Sequence, residues 1–152
     1  MGSAETIQDD TEAAVAEPAR IAIFTRPIDQ GTSGSGHHLA EIVSHALDLN
    51  DGRFAFTLVH YEKNDRPIYS RAAELIVPRN PLAASAALRR QRFDLVHYAP
   101  LSPYAPIWGV RAKKVATVHG AEPYLVPELF SRAHLFHARF AKPWLAARMD
   151  AL

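Results

Sequence analysis

Five short apolar runs, separated by segments of helical period or by proline- and glycine-rich stretches, constrain this chain more than any other feature. "RIAIFT" (20–25), "FAFTLVHY" (54–61), "AELIVP" (73–78), "FDLVHY" (93–98) and "KKVATVH" (113–119) each have the length and composition of a buried strand. Between the first two, "HHLAEIVSHALDL" places Leu39, Ile42, Val43, Ala46 and Leu49 at helical spacing on one face. "NPLAASAALRRQ" predicts a second helix, with Asn80 as N-cap and Pro81 at the first helical position, where a missing N–H costs nothing. "APLSPYAPIWGVRA" holds too many prolines for anything but a loop with a short helix. A last helix is expected around 131–149, bent or interrupted at Pro143. Strands alternating with helices predict an α/β fold with a mostly parallel, doubly wound sheet.

In such sheets ligands bind beyond the carboxyl ends of the strands. Three segments then share one rim: the loop "RPIDQGTSGSG" after the first strand, "HYAP" after the fourth and "HGAEP" after the fifth. The stretch "GTSGSGHH" sets flexible backbone just before a helix N-terminus, where unpaired N–H groups and the helix dipole favour an anion. A plain surface loop is the competing reading. "GSGHHL" lacks the third glycine of a dinucleotide fingerprint, although Glu62 does follow the second strand.

Charge points the same way. The 152 residues carry 17 Lys and Arg against 16 Asp and Glu, but five of those acids fall in residues 1–19, which hold no base. The remaining 11 acids leave the body at +6. Residues 1–18 read as a disordered acidic tail and 19–152 as a single domain, large enough for a core. The basic body suits phosphate, nucleotide or acidic lipid. Its bases are scattered in sequence, not set in a stripe, so nucleic acid is not an expected partner. With no cysteine, disulfides and thiolate zinc sites are excluded and a cytoplasmic setting is the default.

Eight histidines raise the question of a metal. His37 and His38 are adjacent, and His134 and His137 are spaced i, i+3, but neither pair comes with carboxylates, so no metal site is expected. His45 and His60 read as packing or surface residues. His97 ends the "DLVH" run. His119 stands out because strand, histidine and glycine coincide on the ligand rim, with Gly120 allowing a turn and Glu122 close behind. The closing segment has Arg132, Arg139, Lys142 and Arg148, with Phe136, Phe140 and Trp144 at i, i+4, i+8. Such a stripe either packs on its own sheet or makes peripheral contact with an anionic membrane through 132–148.

Taken together, "IAIFTRPIDQGTSGSGHHLAEIV", "FDLVHYAP" and "KKVATVHGAEPY" resemble the N-terminal, acceptor-side domain of family-four glycosyltransferases, retaining enzymes of the GT-B fold. The resemblance runs from about residue 20 to the end. It implies a Rossmann-like domain, one half of a GT-B fold. The donor is then a nucleotide-diphosphate sugar, with no other cofactor, and the acceptor is unspecified. Gly34, Ser35, Gly36 and His37 would meet the donor phosphate or the acceptor. His119 would be the catalytic residue beside the transferred sugar, with His97, Tyr98, Gly120 and Glu122 around the cleft. Gly120 stands where many members carry an acid. The paired-glutamate donor domain of that family has no counterpart in these residues, so the chain reads as half of an enzyme. That half is expected to be inactive alone and prone to self-association through exposed apolar surface. A non-catalytic ligand- or partner-binding module and a nicotinamide-dependent oxidoreductase are the alternatives.

Overall fold

The computed structural model describes residues 17–31, 33–120 and 122–152. The proposed acidic tail therefore lies almost wholly outside the described residues. Five strands form one all-parallel sheet: β1 (Ala19–Phe24), β2 (Phe54–His60), β3 (Ala73–Ile76), β4 (Leu95–Tyr98) and β5 (Lys113–Ala116), in the order β3-β2-β1-β4-β5. The chain is thus Rossmann-like and doubly wound, as the alternation of elements predicts.

β1 is central and paired on both edges, which explains its unbroken apolar run. Its side chains alternate between two cores. Ala22 and Phe24 pack with Val59, Leu88, Val96 and Tyr98 on one face, and Ile23 packs with Leu39, Val43 and Leu58 on the other. Fully burying a side chain such as Leu58 stabilises the fold by about 2 kcal/mol.

The helix after β1 starts earlier than its apolar face suggests. α1 (Arg26–Gln30) forms within the expected loop, and α2 (Gly34–Asp48) begins on the glycines themselves, capped by Ser33. Ser33 supplies Oγ to the Gly36 N–H at 3.1 Å, a cap strong enough to draw the glycines into the first turn. The buried stripe is also rotated. Gly36, Leu39 and Val43 are buried, whereas Ile42 and Leu49 are exposed.

α3 (Pro81–Gln91) behaves as read, with Asn80 Oδ1 accepting from Leu82 N–H at 2.9 Å and Ala83 N–H at 3.1 Å. It lies on the face opposite α2, since Ala84 and Leu88 belong to the Phe24 core. The segment 99–112 contains turns but no helix, and Leu101, Ala105, Ile107 and Val110 fold into the Phe24 core. After β5 come α4 (Glu122–Leu125) and a helical stretch of α5 (Arg132–Phe136), a π-turn (His137–Ala141) and α6 (Lys142–Ala146). The π-turn sits directly before Pro143, whose ring cannot fit against a regular α-turn. Lys142 N–H reaches back to His137 O, which is how the widened turn closes. Beyond it, Ala151 lies parallel to Val115 in a single bridge on the outer edge of β5.

Candidate functional site

Doubly wound order places a crevice at the switch point between β1 and β4. On the α2 side of that edge, segments distant in sequence meet. The rings of His38, in the first turns of α2, and His119 stand edge to face with centroids 5.5 Å apart. His97, on β4, places Nε2 2.9 Å from Thr117 Oγ1. Burial lowers the His97 pKa, favouring a neutral imidazole.

His119 does not end a strand. β5 stops at Ala116, and Thr117 N–H still bonds Tyr98 O at 3.0 Å, but His119 lies in the loop beyond. The chain leaves the ladder because Thr117 O accepts from Leu101 N–H at 3.0 Å, turning the strand toward the 99–112 segment. Gly120 has φ 84, a left-handed conformation suited to glycine, and a Cβ there would collide with the Glu122 carboxylate folded over it. The Glu122 carboxylate thus lies against Gly120, the residue that follows His119.

Gly36 is required for a different reason from ligand approach. A Cβ on it would be driven into the Pro27 carbonyl oxygen, so this glycine lets α2 pack against α1. Gly34 faces open space and His37 is exposed. With the Gly36 N–H taken by Ser33, the N–H groups of Gly34 and Ser35 are those a ligand oxygen could meet. His38, not His37, is the histidine that joins His119.

Tyr98 does not join His97 at the rim, because adjacent strand residues point to opposite faces. It is buried, stacks on Phe24 at 5.2 Å and donates its hydroxyl to Pro106 O at 2.9 Å. There it lines a crevice of about 270 Å3 with Phe24, Arg26, Tyr61 and Pro100, a wall the sequence reading missed. The Arg26 guanidinium lies 6.0 Å from the Tyr61 ring centre, and burial raises the Tyr61 pKa, keeping the phenol protonated.

Beneath α1 runs a polar network. His60, buried at the end of β2, stacks on Tyr69 at 4.4 Å. Its Nε2 lies 2.7 Å from Glu74 Oε1 and its Nδ1 3.5 Å from Asp29 Oδ2. The Tyr69 hydroxyl bonds Asp29 and also Thr25 Oγ1, the latter at 2.9 Å. His60 is therefore a packing residue that ties α1 to β2 and β3. Glu62, the acid considered for a nicotinamide ribose, pairs with Arg79.

The aromatic stripe of the last helices does not pack on the sheet: Phe136, Phe140 and Trp144 are 60%, 63% and 44% exposed. Among the described residues no helix is long and apolar enough to cross a membrane, and no three His, Asp or Glu side chains gather as for a metal ion. No known protein family, curated protein or solved structure matches the chain.

Proposed function

We propose that this chain is the acceptor-side half of a nucleotide-sugar-dependent, metal-independent, retaining glycosyltransferase, inactive by itself. The observation that carries the reading is the meeting of His38, on the N-terminal turns of α2, with His119 after β5. A diphosphate against the Gly34 and Ser35 N–H groups would gain from unpaired donors and from the helix dipole. An imidazole at His119 then hydrogen-bonds the donor sugar or the charge developing at its anomeric centre. In this reading Gly120, with the Glu122 carboxylate against it, follows His119 in the loop that presents the imidazole, and the acceptor enters from the same edge.

A non-catalytic, partner-binding module is the second reading, and one specific observation favours it. Gly36 has a sufficient structural reason in its approach to Pro27, so the glycine stretch need not answer to a ligand. Calorimetric titration of the purified chain with nucleotide sugars, free nucleotides and NADH separates the readings. The glycosyltransferase reading expects weak, saturable binding of a nucleotide sugar, on the order of millimolar, with no transfer. Tighter binding of NADH, or transfer by the chain alone, would overturn it.

For the exposed stripe the proposal includes peripheral contact with an anionic bilayer. Segment 129–149 contains no acid but carries Arg132, Arg139, Lys142 and Arg148 beside Phe136, Phe140 and Trp144. Cosedimentation with phosphatidylglycerol vesicles, and not with phosphatidylcholine vesicles, is the expected result.

A further inference from the structure

Cations that look dispersed in the sequence converge on a cavity of about 900 Å3 at the amino ends of β4 and β5. Arg89 and Arg90 come from the last turn of α3 and Arg92 from its C-terminal cap, while Arg111 precedes β5 and Lys113 opens it. Asp94 is the sole acid in the lining, and its Oδ2 is already engaged by Arg20 N–H at 2.8 Å. Lys113 has Asp150 at 3.8 Å. Among the described residues no carboxylate lies within ion-pair distance of Arg89, Arg90, Arg92 or Arg111.

Like charges gathered around one cavity repel, and a bound anion relieves the repulsion. The carbonyl end of α3 accounts for cations at Arg89 and Arg90 but not at Arg111. A second observation concerns the backbone. Arg92 adopts φ 53, ψ 52, the left-handed conformation that helix ends usually give to glycine or asparagine. A disfavoured backbone that holds an arginine at the cavity wall is the kind of strain found at binding sites. The Arg89 side chain lies alongside Gly109, which brings it next to the 109–113 segment that carries Arg111 and Lys113.

We propose that this cavity binds a small polyanion carrying at least two adjacent phosphate groups, either as free pyrophosphate or as the diphosphate of a nucleotide. Two neighbouring phosphates match several guanidinium forks at once, which a single small anion cannot do. The site is independent of the glycosyltransferase reading, because it lies at the end of the sheet opposite His119.

The test is calorimetry and thermal unfolding of the full chain with pyrophosphate, UDP and sulfate at about 0.15 M salt, where bulk screening is fixed. Pyrophosphate is expected to bind saturably and raise the Tm, with sulfate at least tenfold weaker. UDP binding as tightly as pyrophosphate assigns a free diphosphate terminus as sufficient; UDP binding tenfold tighter assigns a nucleotide. Arg90→Gln with Arg111→Gln should abolish the Tm rise. Arg92→Gly should raise the Tm of the unliganded protein, by relieving the backbone, and yet weaken pyrophosphate severalfold. Equal binding of sulfate and pyrophosphate, or pyrophosphate binding unchanged in Arg92→Gly, would overturn the proposal. So would tight binding of an oligonucleotide through these arginines that pyrophosphate does not displace.

Discussion

Near the carboxyl end of β2, acids pair with bases and with a buried histidine, whereas among the described residues four arginines at the amino ends of β4 and β5 have no such partner. Near β2 and α1, Asp29 and Glu74 flank His60, and Glu62 meets Arg79. The groups left to face a ligand at the His119 edge are imidazoles and backbone N–H. At the other end of the sheet, Arg89, Arg90, Arg92, Arg111 and Lys113 line a cavity with a single acid, Asp94, among them. The +6 of the body is thus unevenly spread: five bases line this cavity and four more lie on 132–148, each group acting over about a Debye length, about 8 Å at physiological salt. Ligands of the two ends should therefore differ in salt dependence, strong at the arginines and weak at the histidines.

The comparison breaks first if the carboxyl end is not held rigidly by its polar network. His60→Ala would leave Glu74 and Asp29 without their buried partner and open a cavity, and is expected to cost about 3 kcal/mol. Urea unfolding checks it; a loss below about 1 kcal/mol would mean the network is ornamental. Next comes the seat of α2. Gly36→Ala should cost about 2 kcal/mol, because the Pro27 carbonyl is backbone and cannot yield easily. Gly34→Ala, facing open space, should stay within about 0.5 kcal/mol of the parent.

A smaller effect sharpens the functional side of the contrast. His119→Ala should leave the melting temperature unchanged and lower nucleotide-sugar affinity by roughly tenfold, or about 1.4 kcal/mol. If it unfolds the protein instead, the His38 contact is packing alone. The smallest effect is in pH. Burial depresses the folded-state pKa of His97 below its ordinary value, so the unfolded chain binds the proton more readily. The stability His97 contributes is then fully present above the unfolded pKa, about 6.5, and is lost as pH falls toward the folded value. The midpoint of unfolding should fall less steeply between about pH 7.5 and 5.5 in His97→Gln than in the parent.

The strands and their order of alternation were legible because apolar runs of strand length admit few other readings, and β1 and β4 fell close to where "RIAIFT" and "FDLVHY" put them. Strand ends were less legible. Nothing in "KKVATVH" signals that Thr117 would turn out to bond Leu101, so His119 moved from strand to loop. The glycine stretch reads as a loop because glycine disfavours helix, yet the Ser33 cap offsets that propensity. His38 and Arg26 escaped notice because their partners, His119 and Tyr61, are far off in sequence. The arginine cavity escaped for the same reason, since only folding brings Arg89 beside Gly109 and Arg111.

The most direct test of the account is to map backbone amide shifts on titration with a nucleotide sugar while pyrophosphate saturates the arginine cavity. Perturbations are expected to remain at Gly34, Ser35, His38 and His119, and to shrink in His119→Ala. If pyrophosphate abolishes every perturbation, or those that remain avoid the His38–His119 edge, the carboxyl rim is not the sugar-nucleotide site and the central reading fails.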